Sequence, residues 1–232
     1  MKIFLLIFLI IINIVILKKK IIDVDYIDQT VDYPTGCESV STIMCLHYFN
    51  FSITVDEFIQ NYLDMGDMYY KGNKLFAPDP NDKFIGSPYD SHSYGCYEPV
   101  IEKALKKYIN DKNLNDEYEV KNLTDVPMKT IIEEYIEKDI PVIYWATIKL
   151  LDSFNGTRWI IPETKQEFTW TANEHCLLLV GYEEDEDKKL YYFNDPWENK
   201  GLAGYDKDLV EKRHKEMFSM ACAIVKKKII KV

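Results

Sequence analysis

A proline followed two residues later by a glycine, and then by a helix-like run, is the feature that most constrains this chain. Pro34 fixes its own φ and biases the preceding Tyr33 toward an extended conformation, so regular structure is interrupted here. Thr35 is a candidate N-cap, and Gly36 allows the backbone to approach another group closely. The segment 37–49 is predicted to be a helix, because its apolar residues recur every three to four positions.

Cys37 is thereby placed in the first turn of the predicted helix. Unpaired N–H groups and the positive end of the helix dipole favour a thiolate at this position. A nucleophilic cysteine uses this kind of environment. The alternative is a small buried apolar residue that happens to lie at a helix start, and the local sequence does not decide between the two.

A thiolate nucleophile needs a histidine that accepts its proton and a third group that orients the histidine. Of the four histidines, His175 opens an apolar run of strand length and would be held rigidly. The next strand-like run, 190–193, is followed closely by Asp195. Nucleophile, base and orienting acid therefore come in that order. The gap of 138 residues between Cys37 and His175 falls within the roughly 130–150 found in papain-like chains.

In these segments the sequence resembles the C39-like peptidases, a branch of the papain-like cysteine peptidases. Five groups of residues carry the resemblance, in order, within about residues 29 to 225: Tyr33–Glu38, Gly86–Tyr89 with Tyr94–Ile101, Ile140–Thr147, Glu174–Tyr182, and Asn194–Pro196. The Cys-Gly-Ser-Cys-Trp signature of papain itself is absent, so papain-type specificity is not implied.

The resemblance implies a papain-like fold and a cysteine-type peptidase that cleaves peptide or amide bonds through a thioester intermediate. It implies Cys37 as the nucleophile, His175 as the base, Asp195 as the third member and Gln29 as the oxyanion-hole glutamine. Such a reaction needs no cofactor and no metal. Two other functions stay open: a non-catalytic peptide-binding protein on the same fold, and a thiol-dependent acyl transferase.

The order of the predicted elements indicates the fold class. Helices are expected first and strands later, which favours an α+β fold with an antiparallel sheet and a cleft between the helical part and the sheet. The helices are expected at 37–49, 54–63, 99–110, 127–138 and 206–220, and the strands at 141–147, 158–161, 167–171, 175–182, 190–193 and 221–226. The long stretch 64–96, rich in glycine, proline and tyrosine, is expected to wall a peptide cleft or to elaborate the surface.

The N-terminus predicts a division into a hydrophobic segment, 1–20, and a peptidase domain, 21–232. The apolar run 3–17 has the length of a signal-peptide core, but no alanine, glycine or serine precedes Gly36 to form a cleavage site. We therefore expect an uncleaved, membrane-associated export segment and an extracytoplasmic domain. Lysines 18–20 argue for the opposite orientation by the positive-inside rule, and a buried N-terminal helix or strand is the alternative.

The composition of the chain limits the classes of binding partner that it is expected to have. A net charge of −10 and a pI near 5.0 argue against a nucleic-acid partner. The five cysteines form no CxxC pair and no zinc-finger spacing. The expected partner is a peptide or protein substrate, with possible membrane attachment through residues 1–20.

Overall fold

The structure is a computed structural model that describes residues 17–227. Its helices are α1 Cys37–Tyr48, α2 Val55–Asn61, α3 Glu98–Asp111, α4 Met128–Glu134 and α5 Lys207–Glu216, with 3-10 turns at Ile136–Lys138 and Ile148–Leu150. Its strands are β1 Lys18–Ile21, β2 Met65–Gly66, β3 Tyr69–Lys71, β4 Lys74–Phe76, β5 Phe84–Ile85, β6 Tyr118–Asn122, β7 Val142–Thr147, β8 Phe154–Ile160, β9 Glu167–Ala172, β10 Glu174–Glu184, β11 Lys189–Asp195, β12 Gly201–Asp206 and β13 Ala221–Lys226.

A seven-stranded antiparallel sheet forms the centre of the fold. Its strand order is β12-β11-β10-β7-β13-β6, and β1 pairs with the far half of β10, end to end with β7. A second sheet has the order β3-β4-β8-β9, and β2 pairs with β5. The helices precede or cover the main sheet, so the predicted α+β class with a mainly antiparallel sheet is confirmed.

Helix α1 lies on the main sheet at β10 and β7, in the middle of the core. Its first ten residues, from Cys37 to Leu46, are all buried. The sequence pattern predicted one apolar face, but a helix covered on every side buries its polar residues as well. Those polar residues therefore need partners inside the protein.

Besides β1, two strands of the main sheet were not predicted. The polar segment 111–121 was expected to be a loop, but its end forms β6, which pairs with β13. Residues 201–206 form β12, which pairs with β11. Both strands are half-buried edge strands whose stability comes from their neighbours, and so their own residues carry little strand signal.

Lysines 18–20 belong to the sheet, so the predicted division after Lys20 falls inside β1. Lys19 pairs with Glu183 at 2.7 Å and Lys20 with Asp139 at 2.5 Å. The first 16 residues of the predicted signal or anchor segment lie outside the described residues. Within residues 17–227, no helix has the length and apolar character required to cross a membrane.

Candidate active site

The loop that leads into α1 is held by the long segment expected to wall a cleft. The hydroxyl of Thr35 donates hydrogen bonds to the carbonyls of Ser87 and Asp90, at 3.1 and 3.0 Å. Gly36, not Thr35, is the N-cap of α1, and no side chain caps the helix. The predicted Thr35 cap is therefore wrong, because its hydroxyl faces the 84–96 segment. Cys37 begins the helix, as predicted.

His175 and Asp195 meet across two adjacent strands. His175 lies near the start of β10 and Asp195 ends β11, and Nε2 of the imidazole is 2.8 Å from Oδ1 of the carboxylate. The hydroxyl of Tyr205 donates to Oδ2 at 2.6 Å, and the backbone N–H of Trp197 donates to Oδ1 at 3.1 Å. Both groups of the pair are about 2% exposed. The pair is thus fixed in one orientation by three donors.

Burial alone would raise the pKa of Asp195, but the hydrogen bonds from His175, Tyr205 and Trp197 outweigh it and hold the pKa below its usual value. Two asparagines that neighbour His175 and Asp195 in the sequence, Asn173 and Asn194, have other partners. Asn194 donates to the carbonyl of Val24 at 2.8 Å. Asn173 donates to the carbonyl of Asp152 at 2.9 Å.

The thiol of Cys37 faces a carboxyl group rather than the imidazole. Its Sγ donates to Oε2 of Glu38 at 3.3 Å, and in the described part of the chain no hydrogen bond joins it to His175. Burial, followed by the charges of Glu38 and Glu174, raises the pKa of Cys37 well above its usual value, although the Cys176 backbone N–H opposes the shift. The expected low thiol pKa is therefore wrong for this arrangement, because desolvation and two carboxyls outweigh the helix dipole.

Gln29 lies where the chain folds back toward the nucleophile. Its backbone N–H donates to the carbonyl of Pro196 at 2.9 Å, which ties it to the loop after β11. Its side-chain Nε2 donates to the carbonyls of Tyr33 and Pro34, at 3.2 and 3.4 Å, and its Oε1 is buried with no partner in the described part of the chain. The amide thus touches the turn just before Cys37. Its role in an oxyanion hole stays a prediction.

Three residues of the site were not singled out from the sequence: Glu38, Glu174 and Tyr205. Glu38 follows Cys37 directly, and Glu174 precedes His175 directly, so each lay inside a motif that was already recognised. Their positions beside two candidate catalytic residues were the available signal. Tyr205 carried none, because it reaches Asp195 only through the unpredicted strand β12.

Among residues 17–227, Cys37, Glu38 and Glu174 form the one group of three Cys, His, Asp or Glu side chains whose ligand-type atoms all lie within 4.8 Å of one another. Both oxygens of Glu38 already accept hydrogen bonds, from the Cys37 thiol and from the backbone N–H of Cys96. We therefore assign no metal ligand and no cofactor site to this group.

Comparison with known proteins identifies the family and the fold of the chain. The profile of the Peptidase_C39 like family matches residues 21–221, and the chain belongs to that family. A crystal structure of a provisionally assigned C39-like peptidase from Bacillus anthracis superposes with a TM-score of 0.75 at 23% identity, covering 91% of this chain and 99% of that one. No curated protein matches.

The family match and the structural match define the class of the protein. The fold is that of a C39-like peptidase, and the family supports a peptidase-type function acting on a protein substrate. At 23% identity the solved structure supports the fold alone, so the roles of individual residues depend on the geometry of this chain.

Proposed function

We propose that this protein is a cysteine-type peptidase that cleaves peptide or amide bonds through Cys37, His175 and Asp195. The observation that carries the proposal is the buried 2.8 Å hydrogen bond between His175 and Asp195, on the strand against which α1 packs. Ser41 of α1 donates to the carbonyl of Cys176 at 3.1 Å, which holds the helix start beside this part of β10.

The hydrogen bond to Asp195 assigns the two ring nitrogens of His175. Nε2 donates to the carboxylate, so Nδ1 is the nitrogen that can accept a proton from the thiol. The resulting imidazolium is stabilised by the carboxylate, whose low pKa keeps it ionised at neutral pH. Tyr205 and the Trp197 N–H fix the carboxylate and, through it, the plane of the ring.

In the proposed reaction, the Cys37 sulfur attacks the carbonyl carbon of the scissile bond. The N–H of Cys37 belongs to the first helical turn, where N–H groups lack intrahelical partners, and it can donate to the oxyanion together with Nε2 of Gln29. Each such donor contributes about 3 kcal/mol to the stabilisation of the transition state. His175 protonates the leaving amine and a thioester is left on the sulfur. His175 then activates water, which releases the acid and restores the thiol.

The orientation of the thiol adds a step before the chemistry. Because the Cys37 thiol donates to Glu38, its side chain has to leave that carboxyl before its proton can pass to His175. The 6% exposure of Cys37 and 2% exposure of His175 also mean that substrate entry requires the surrounding loops to open.

Labelling of the purified protein with a thiol-reactive peptide-like probe, with mass-spectrometric location of the modified residue, tests the proposal. We expect modification at Cys37 and complete loss of peptide hydrolysis in Cys37→Ala. Cys45→Ala is the matched control, because Cys45 is buried in the same helix and away from His175. Wild-type hydrolysis by Cys37→Ala would refute the assignment.

The same assay separates the other two functions. Addition of an amine acceptor should leave the free acid as the main product if the protein is a hydrolase. A predominant amide product would identify an acyl transferase. Peptide binding without either product would identify a non-catalytic binding protein.

A further inference from the structure

Two carboxyl groups lie beside the Cys37 thiol, the fully buried one of Glu38 and the half-buried one of Glu174, and the proposed reaction does not use them. Glu38 is 0% exposed. Its Oε2 accepts a hydrogen bond from the Cys37 thiol at 3.3 Å, and its Oε1 accepts one from the backbone N–H of Cys96 at 2.6 Å. Glu174 approaches from β10, and its Oε1 is buried with no hydrogen-bond partner among residues 17–227. The sulfur and one oxygen of each carboxyl all lie within 4.8 Å of one another.

The backbone is shaped to leave room for this pair. Gly95 has a φ of +140°, and a Cβ there would lie 2.5 Å from Oε1 of Glu38 and 3.0 Å from Oε2 of Glu174. Only a residue without a side chain therefore lets the 84–96 segment close over both carboxyls. The packing around the two acids is tight on that side.

No fixed cation compensates the pair. Among residues 17–227, no lysine or arginine forms an ion pair with Glu38 or Glu174. The titratable groups that face them come from α1, from the segment before α3 and from β10: Cys37, Cys96, Tyr97, His175 and Cys176. The indole N–H of Trp145 in β7 donates to the carbonyl of Cys96 at 3.2 Å.

Two carboxylates so close together in a desolvated site cannot both remain ionised at low cost. Burial raises the pKa of Glu38 to about 7, against the hydrogen bonds that it accepts. Burial, and then the charge of Glu38, raises the pKa of Glu174 well above its usual value. Glu38 therefore gains and loses its proton near neutral pH, next to the nucleophile.

We propose that Glu38 and Glu174 form a proton-holding pair that gates the nucleophile, with Glu38 as the positioning residue. When Glu38 is ionised, its Oε2 holds the S–H of Cys37 and its charge opposes formation of the thiolate. When solvent supplies a proton to Glu38, the neutral carboxyl releases the thiol, whose own proton can then pass to Nδ1 of His175. The neutral carboxyl can also donate a hydrogen bond to the thiolate. The gate regulates the site of the proposed peptidase and so rests on that function.

The gate predicts the effect of a neutral side chain at position 38. Glutamine has the shape of a protonated glutamate and can donate to sulfur while it accepts the N–H of Cys96. The rate of alkylation of Cys37 by iodoacetamide, located by mass spectrometry, should be the same within twofold for the wild-type protein and Glu38→Gln at pH 5. At pH 8, where wild-type Glu38 is ionised, the variant should react at least tenfold faster.

Glu98→Gln is the matched control. Glu98 is also a fully buried glutamate, and burial raises its pKa to about 8, but it bonds to Asn122 rather than to the site. Its substitution should leave the alkylation rate of Cys37 unchanged at both pH values. The gate would be overturned if the ratio of the Cys37 alkylation rate in Glu38→Gln to that in the wild-type protein were the same at pH 5 and pH 8, or below one at pH 8.

A second measurement leaves Glu38 intact and covers the case in which Glu38→Gln does not fold. In His175→Ala, the logarithm of the alkylation rate should rise by one per pH unit, flatten near pH 7 as Glu38 ionises, and then rise again. A straight line through this range would overturn the gate. Neither assay needs turnover, so a positive alkylation result without hydrolysis would refute the proposed peptidase and keep the gate.

Discussion

The two halves of the candidate site bury charge in opposite ways. On the base side, both oxygens of Asp195 accept donors, from His175, Tyr205 and the Trp197 N–H, and the pKa of the carboxyl is lowered. On the nucleophile side, Glu38 and Glu174 share a desolvated space with the Cys37 thiol, one oxygen of Glu174 has no partner, and all three pKa values are raised.

This difference shows that the charge of Asp195 is fixed, whereas the charges around the Cys37 thiol can change with pH. A carboxylate with several donors keeps its charge over the working pH range and orients its partner. Burial raises the pKa of Glu38 to about 7 and raises the pKa of Glu174 as well, and perturbed pKa values of this kind are typical of functional sites. The His175–Asp195 pair is therefore pre-organised by hydrogen bonds, whereas the state of the Cys37 thiol depends on the protonation of its neighbours.

The largest effect is expected from removal of the base itself. His175→Ala should lower peptide turnover by roughly 10⁴-fold or more, because the thiol loses its proton acceptor and the leaving amine loses its proton donor. Steady-state kinetics on a peptide substrate measures this loss. A variant within tenfold of the wild-type protein would show that His175 only packs.

Gln29→Ala should have the next largest effect. Loss of one oxyanion donor lowers kcat by roughly 10²–10³ with little change in KM. If kcat is unchanged while the melting temperature falls, the amide serves only to hold the turn at Tyr33 and Pro34. That result would leave the Cys37 N–H as the remaining oxyanion donor in the proposed reaction.

The nucleophile side should also make the stability of the protein depend on pH. Because the folded-state pKa of Glu38 is raised from 4.5 to about 7, folded protein binds more protons than unfolded protein in that window. Stability is therefore highest below about pH 4.5 as far as this group is concerned, and it is lost as pH rises through 7. Between pH 5 and pH 8, ionisation of Glu38 should lower the free energy of unfolding of the wild-type protein by an amount on the order of 3 kcal/mol. The Glu38→Gln variant should not show this loss.

Denaturant unfolding at the two pH values measures this difference. Glu133→Gln, a substitution at an exposed glutamate of α4, is the control and should follow the wild-type protein at both. An equal pH dependence in Glu38→Gln and the wild-type protein would contradict the raised pKa of Glu38.

The smallest effect on turnover is expected from the loss of Tyr205, because Asp195 has other hydrogen-bond donors. Tyr205→Phe removes one hydrogen bond of 2.6 Å but leaves those from His175 and the Trp197 N–H. A hydrogen bond to a charged group contributes about 1.5–3 kcal/mol, and part of it is regained from the remaining donors, so turnover should fall about tenfold. A loss as large as that of His175→Ala would instead make Tyr205 indispensable for the orientation of Asp195.

Much of the geometry of the candidate site could be predicted from local patterns. The helix start at Cys37 follows from a proline, a glycine and an apolar period, and the positions of His175 and Asp195 follow from two strand-like runs. The helix expected at 54–63 begins with a capping box formed by Thr54 and Glu57, two residues only three positions apart. Signals of this kind survive because the residues that define them are close together in the chain.

What the sequence by itself determined is the order and type of the central elements and the pairing of His175 with Asp195. Only the tertiary structure decided the environment of the thiol. Glu174 reaches Cys37 because α1 packs on β10, across more than a hundred residues of chain, and neither its proximity nor the burial of the acids has a local signature. Desolvation depends on everything that surrounds a group, so the direction of the Cys37 pKa shift followed from the packing and not from its place at a helix N-terminus.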